Sequence, residues 1–196
     1  MKTLLFAATF TFAIAVPGIA QSTSWQLDPA HSSAQFAVKH MGISTVRGTF
    51  TKLSGTLQYD PADVKNDSVE VTIETASVDS RVEMRDNDLR SEHFFDVQKY
   101  PTITFKSKKV ESAGADKLKV LGDLTVHGVT KEVTLDVDGP SKPVNDKRGH
   151  LHMGASATTT VNRTDFGMSG YQGMVGNDAA LTIDAEFVQP ASGGAK

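Results

Sequence analysis

Apolar residues recur at every second position along most of the chain, the pattern of strands that turn one face to a core. Ala34, Phe36 and Val38 alternate with Gln35, Ala37 and Lys39, and Leu53, Gly55, Leu57 and Tyr59 with Ser54, Thr56 and Gln58. The period continues through Val69, Val71 and Ile73, then Ile103 and Phe105, then Leu118, Val120, Gly122 and Leu124. Val133, Leu135 and Val137 follow, then Leu151, Met153 and Ala155, and last Leu181, Ile183, Ala185 and Phe187. Turn-forming stretches such as Tyr59-Asp60-Pro61, Gly114-Ala115-Asp116 and Asp138-Gly139-Pro140 bound several of these runs. Eight or more strands at this spacing predict an all-β sandwich or barrel. In a sandwich the apolar faces meet a second sheet, whereas an eight-stranded barrel can leave room for one ligand. The small inward positions Ala34, Gly48, Gly55, Gly122 and Ala185 either leave volume unfilled or fit a tapering interior.

One segment breaks the period. Ser80-Arg81-Val82-Glu83 has the form of a capping box, and Val82, Leu89 and Phe94 then fall near one helical stripe, with Arg81, Arg85, Asp86 and Arg90 largely outside it. This predicts a helix over about 81–93, ended as Tyr100-Pro101 returns the chain to extended geometry.

The amino-terminal residues follow another logic. A basic Lys2, an apolar run from Leu4 to Val16 and small residues at Gly18 and Ala20 are the parts of a secretory signal peptide. The run is shorter than the roughly 20 residues a bilayer requires, so cleavage after Ala20 is expected, with one domain over 21–189 and a disordered tail over 190–196. Removing Lys2 leaves 19 basic residues against 23 acidic ones, a net charge of −4 in place of −3. That balance argues against a nucleic-acid partner. The chain has no cysteine, which together with the signal points to a bacterial periplasm, where the sequons at Asn66 and Asn162 carry no glycan.

Candidate chemistry is sparse. His150 and His152 share a strand face, but no third ligand stands at close spacing and no His-Glu-x-x-His segment or cysteine is present, so no metal site is assigned. His31, His40, His93 and His127 fall at strand ends or turns, where structural hydrogen bonds are the expected role. No Gly-x-Ser-x-Gly elbow is found. Asp86, Asp88, Glu92 and Asp96 offer carboxylates for acid–base work, yet beside Arg81, Arg85 and Arg90 they read as a solvated face. No catalytic residue is assigned. The glycine-rich Asp165–Gly176, with Met168, Tyr171 and Met174, is either a mobile rim or an ordinary long connection.

Specific residues resemble a known family. Trp25-Gln26-Leu27-Asp28 with Ala30-His31-Ser32, Phe36-Ala37-Val38-Lys39-His40, Val46-Arg47-Gly48-Thr49-Phe50 and Arg85-Asp86-Asn87-Asp88-Leu89-Arg90-Ser91 are similar to motifs of the YceI family of periplasmic polyisoprenoid-binding proteins. Phe94-Phe95-Asp96-Val97, Lys99-Tyr100-Pro101, Gly122–Thr130 and Asn162–Gly167 extend the match in order over nearly the whole exported chain. The resemblance implies an extended, lipocalin-like, eight-stranded antiparallel barrel with a helix over part of it. It also implies a tunnel for an isoprenoid chain, such as a polyprenyl phosphate or a quinone tail. The sequence departs from the pattern at Asp88, a position often histidine in the family, which bears on head-group preference.

Each buried methylene contributes about 0.8 kcal/mol, so one isoprene unit is worth roughly 3–4 kcal/mol gross against association costs of about 4–15 kcal/mol. Several units therefore suffice without a charged contact. The expected tunnel lining is Phe36, Val38, Phe50, Leu57, Ile73, Leu89, Phe94, Phe105, Val120, Leu124, Met153, Met168, Tyr171, Met174 and Ile183. Arg85, Asp88, Arg90, His93 and Arg163 are the candidates to meet a polar head, each with a local ion pair as its competing role. The expectation is non-catalytic binding, storage or transport of a long-chain isoprenoid or similar amphiphilic lipid. The lipid is the only ligand expected, without a cofactor. An enzyme acting on a lipid precursor through the helix carboxylates or a His150/His152 metal is the competing reading, and a filled barrel that docks a membrane enzyme is a third. A homodimer is compatible with barrels pairing along their sides, and no sequence feature identifies a membrane enzyme or quinone-using recipient.

Overall fold

The computed structural model describes residues 22–189. The expected signal segment (1–20) and carboxyl-terminal tail (190–196) lie outside the described residues. Twelve strands run in chain order: β1 (Thr23–Leu27), β2 (Ser33–His40), β3 (Ser44–Phe50), β4 (Leu53–Tyr59), β5 (Ser68–Glu74) and β6 (Val78–Asp79), then β7 (Thr102–Gly114), β8 (Lys117–Val126), β9 (Val129–Asp138), β10 (Val144–Asn145), β11 (Leu151–Asn162) and β12 (Val175–Gln189). The single α-helix among the described residues, α1 (Glu83–Arg90), lies between β6 and β7.

Eight strands close into an antiparallel barrel in the order β1-β4-β5-β7-β8-β9-β11-β12, with β12 pairing back onto β1. The long β12 makes this possible. It pairs with β11 along its length, with β1 through Gln26↔Val188 and with β2 through Leu181↔Phe36. Strands β2, β3 and β6 therefore branch from the barrel as a wing. Register carries the alternation of the sequence into rows of inward side chains: Leu53, Ile73 and Ile103 are successive cross-strand partners, as are Val71, Phe105 and Leu124.

Of the small inward residues, Ala34 and Ala185 line the cavity, whereas Gly48 and Gly122 do not open space. A side chain at Gly48 would run into the Phe36 ring, and one at Gly122 into the Phe105 ring. Each glycine is the floor on which a neighbouring phenyl ring lies.

The helix differs from its expected form. It begins at Glu83 with Val82 as N-cap and no side-chain cap bond. Ser80 turns inward instead: its amide donates to Asp86 Oδ1 at 2.8 Å, its hydroxyl donates to the same oxygen and accepts from Arg85 Nε at 2.7 Å. Asp86, expected on the solvated face, is buried as the hub of this cluster. The helix stops at Arg90, short of His93, where the Ser91 hydroxyl donates to Asp88 O at 2.7 Å. Arg90 donates to Ala76 O at 2.9 Å and Val78 O at 2.6 Å, tying α1 to the wing.

The barrel has two unlike ends. One is plugged by Trp25, Leu27, Met153 and Phe187, all buried, with the Trp25 and Tyr59 rings edge-on at 6.4 Å. At the other, the β2–β3 turn, α1 and the segment after β11 meet, and Phe95 packs against Phe50 and Phe36 at ring separations of 5.5 and 6.3 Å.

Candidate functional site

Between the aromatic plug and the opposite mouth lies a cavity of about 440 Å³, within the roughly 300–1,000 Å³ range of small-molecule sites. Its walls are almost wholly apolar. Phe36, Val38, Phe50, Ile73, Leu89, Phe94, Phe105, Leu124, Met168, Tyr171, Met174 and Ile183 are among the lining residues. Three expected lining residues lie elsewhere. Leu57 is the cross-strand partner of Trp25 and Met153 that of Phe187, so both belong to the plug. Val120 pairs with Val110 on the plug side of Gly122, beyond the Phe105 ring laid across that glycine.

Other walls were missed in the sequence. Val46, Phe95, Val126, Val161 and Phe166 also line the space. Val126 and Val161 sit at strand ends, Phe166 in a 3₁₀ turn (Arg163–Phe166) and Phe95 in the turns after α1, where too few residues alternate for the period to show, while Val46 lies within the short β3.

Polar groups concentrate at the mouth. Arg85, Asp88 and Arg163 are lining residues, whereas Arg90 and His93 are not. Asp88 Oδ1 accepts from His93 Nδ1 at 2.9 Å and lies 3.5 Å from the Tyr171 hydroxyl. Tyr171 also stacks on Phe94 at 5.8 Å and meets His93 edge-on at 5.4 Å. Together these contacts lay the glycine-rich segment over the mouth, and the close approach of Gly170 to the His93 carbonyl leaves no room there for a side chain. Arg90 is occupied by the two carbonyls that fix α1.

Arg163 has a structural employment that its sequence position did not reveal. Only 4% exposed, it donates from Nε to Gly176 O at 3.0 Å, from Nη1 to Met168 O at 2.6 Å and from Nη2 to Val175 O at 3.1 Å. Burial lowers its pKa from the usual arginine range. Three fixed carbonyls, and the Phe94 ring 5.9 Å away, take the place of a carboxylate.

The paired histidines are at the plugged end. His152 Nδ1 stands 2.8 Å from Glu186 Oε1, and His150 Nδ1 3.0 Å from Asp146 Oδ2. His31 Nδ1, 2.8 Å from Asp28 Oδ2, extends the series of histidine–carboxylate pairs. The carboxylate bonds raise the pKa of His31 through Asp28 and of His152 through Glu186, and hold the Asp28 and Asp146 carboxyls below their ordinary range. Donor atoms of Asp28, His31 and Glu186 lie within 4.8 Å of one another, a grouping that distance in sequence concealed.

A family model described as YceI-like domain matches residues 25–187. A UPF0312 protein of Vibrio parahaemolyticus is 39% identical over 168 residues, 85% of this chain and 88% of its own length. Among solved structures, a Campylobacter jejuni YCEI protein is 35% identical with a TM-score of 0.69, the match covering 77% of this chain and 89% of that one. A polyisoprenoid binding domain from Saccharophagus degradans is 14% identical with a TM-score of 0.64, covering 85% and 98%, a likeness of fold.

Proposed function

The chain belongs to the YceI-like family, and on that premise we propose that it binds a long-chain isoprenoid or similar amphiphilic lipid, without catalysis, and stores or transports it in the periplasm. The observation that carries this reading is the apolar cavity of about 440 Å³, walled by phenyl, aliphatic and methionine side chains and opening at one end. Such a space excludes water and rewards each buried methylene by about 0.8 kcal/mol. The solved Saccharophagus degradans domain of the same fold is a polyisoprenoid binder by its description, which supports a prenyl chain as the ligand class. A polyprenyl phosphate or a quinone would lay its tail along Phe105, Leu124 and Ile183 and leave its head beside Arg85 and Asp88 at the mouth.

A non-catalytic role is supported by the use made of the helix carboxylates. Asp86 is buried and accepts from Ser80, and Asp88 is engaged by His93. Asp86 is thereby committed to fixing the start of α1, and Asp88 to the contact that lays the glycine-rich segment over the mouth. Among the described residues no helix is long and apolar enough to cross a membrane.

Solvent extraction and native mass spectrometry of protein purified from its host test the reading. One long-chain lipid per chain is expected, released intact. Phe105→Asp should abolish loading by placing a charge in the chamber, and Ala179→Phe should reduce it by occupying space without one. Protein that is recovered empty and takes up no added prenyl lipid refutes the proposal. Turnover of a bound lipid that is lost in Asp88→Asn would put the enzyme reading in its place.

A further inference from the structure

Exposed apolar side chains gather around the cavity mouth. Met41 and Ile43, at the turn between β2 and β3, are 58% and 82% exposed, and Met174 is 50% exposed. The Met41 amide donates to Met174 O at 2.7 Å, joining the β2–β3 turn to the glycine-rich segment. Met84 adds a fourth exposed side chain on α1, beside the cavity-lining Arg85, and is 84% exposed.

The backbone at this tip is shaped against its sequence. Ile43 N–H donates to His40 O at 3.1 Å, and the two central residues, Met41 and Gly42, have φ of 51° and 74°. A turn with positive φ at both central positions favours asparagine, aspartate or glycine at the first. Methionine there is strained, and it presents an apolar side chain to solvent.

Charge adds a second, independent feature. No acidic residue occurs between Asp28 and Asp60, while Lys39, Arg47 and Lys52 do, in a chain of net charge −3. Lys52 pairs with Glu74 at 3.0 Å. Lys39 and Arg47 share one face of the β2–β3 hairpin and lie in no ion pair among the described residues; Lys39 donates to Thr45 Oγ1 at 3.0 Å and reaches the cavity mouth. The hairpin is thus an apolar tip with a cationic collar.

We propose that this rim is a docking surface for an anionic lipid bilayer: Met41 and Ile43 enter the headgroup–acyl boundary, Lys39 and Arg47 meet lipid phosphates, and the cavity mouth faces the membrane. Such a surface draws its purpose from the lipid-binding reading, since a cargo with an isoprenoid tail resides in membranes, but docking is tested without cargo. An apolar patch with adjacent cations binds interfaces through buried area and attraction to anionic headgroups together.

The test uses the protein as its host processes it and sediments it with vesicles of phosphatidylglycerol and phosphatidylcholine, or of phosphatidylcholine alone. Binding to the anionic vesicles, weakened by salt, is expected. Ile43→Asp should weaken it about tenfold or more, and Lys39→Ala with Arg47→Ala about fivefold per cation removed. Met41→Asn separates docking from folding, since it relaxes the turn: its thermal midpoint should equal or exceed that of the wild type while vesicle binding falls. Uptake of farnesol, read by native mass spectrometry, should persist in Ile43→Asp and Met41→Asn, whose side chains do not line the cavity.

Wild-type protein that ignores anionic vesicles overturns the docking proposal, and does so while leaving the cargo reading intact if farnesol is still bound. Vesicle binding without farnesol uptake leaves docking standing and defeats the cargo reading. Binding unchanged by Ile43→Asp also overturns the proposal, as does a concentration-dependent dimer abolished by Ile43→Asp in protein that does not sediment with vesicles.

Discussion

Asp67 closes the turn between β4 and β5 with its carboxylate directed inward, where Oδ1 accepts the Asp60 amide at 2.7 Å. Burial pushes its pKa up to about 6, the charges of Asp60 and Asp63 add to the rise, and the Asp60 amide opposes it. Asp60 is in the contrary situation, held low by the Asn66 side-chain amide. The folded state therefore holds a proton on Asp67 more tightly than the unfolded chain does. The stability associated with that proton is complete below the unfolded pKa near 3.8 and is lost as pH rises through about 6. An asparagine side chain at this position would retain the acceptor for the Asp60 amide without the buried charge. Asp67→Asn is thus expected to stabilise the protein at pH 7 by on the order of 2 kcal/mol, and to be neutral below pH ~4. Urea unfolding at the two pH values checks this, and equal shifts at both would show that Asp67 titrates normally. His152, raised through Glu186, acts with the same sign, lending stability below its unfolded pKa and losing it as pH rises through its folded one.

At the level of elements, the turn from β11 into the segment crossing the mouth is held by one guanidinium. Arg163 gathers carbonyls of Met168, Val175 and Gly176 from both ends of that segment, and a buried carbonyl deprived of its donor costs about 1–3 kcal/mol. Arg163→Met keeps much of the bulk and loses all three bonds. It should lower stability by about 3 kcal/mol or more, with amide-exchange protection lost first at Met174 and Val175. Arg163→Lys should recover only part, because one ammonium does not reproduce the fork. Protection unchanged in Arg163→Met would mean that Tyr171 and Gly170 hold the segment by themselves. Nothing in the local sequence distinguishes this arginine from a head-group ligand, because its partners lie up to thirteen residues ahead. The helix erred in the opposite sense: Ser80 and Glu83 have the spacing of a capping box, but Asp86 and Arg85 compete for the same hydroxyl in the folded chain. Strand faces were legible because a period of two holds wherever one face is buried. Membership of the barrel was less so, since β1 has five residues and only Trp25 and Leu27 to mark its buried face, while the well-patterned β2 lies in the wing.

Over the whole molecule, the hollow follows from how long strands and rings are combined, and a list of inward residues does not contain it. Phe36 and Phe105 occupy the space above Gly48 and Gly122, while the volume that stays open lies between the Trp25 plug and the mouth. A barrel with an apolar void is less stable than a filled one, because atoms facing the void lose their contact partners. A lipid that restores those contacts binds the folded chain and has no site on the unfolded one. At a free concentration of 100 times Kd such a ligand adds about 2.7 kcal/mol, and for a domain of this size each kcal/mol moves Tm by about 2–4 °C. Delipidated protein should therefore melt about 5–10 °C below the loaded form, and added prenyl lipid should restore the difference. Phe105→Asp, whose chamber rejects the lipid, should melt at one temperature with or without it. If extraction leaves the wild-type Tm unchanged, the protein's own side chains must collapse into the chamber, and the cavity would be no store of binding energy for a lipid.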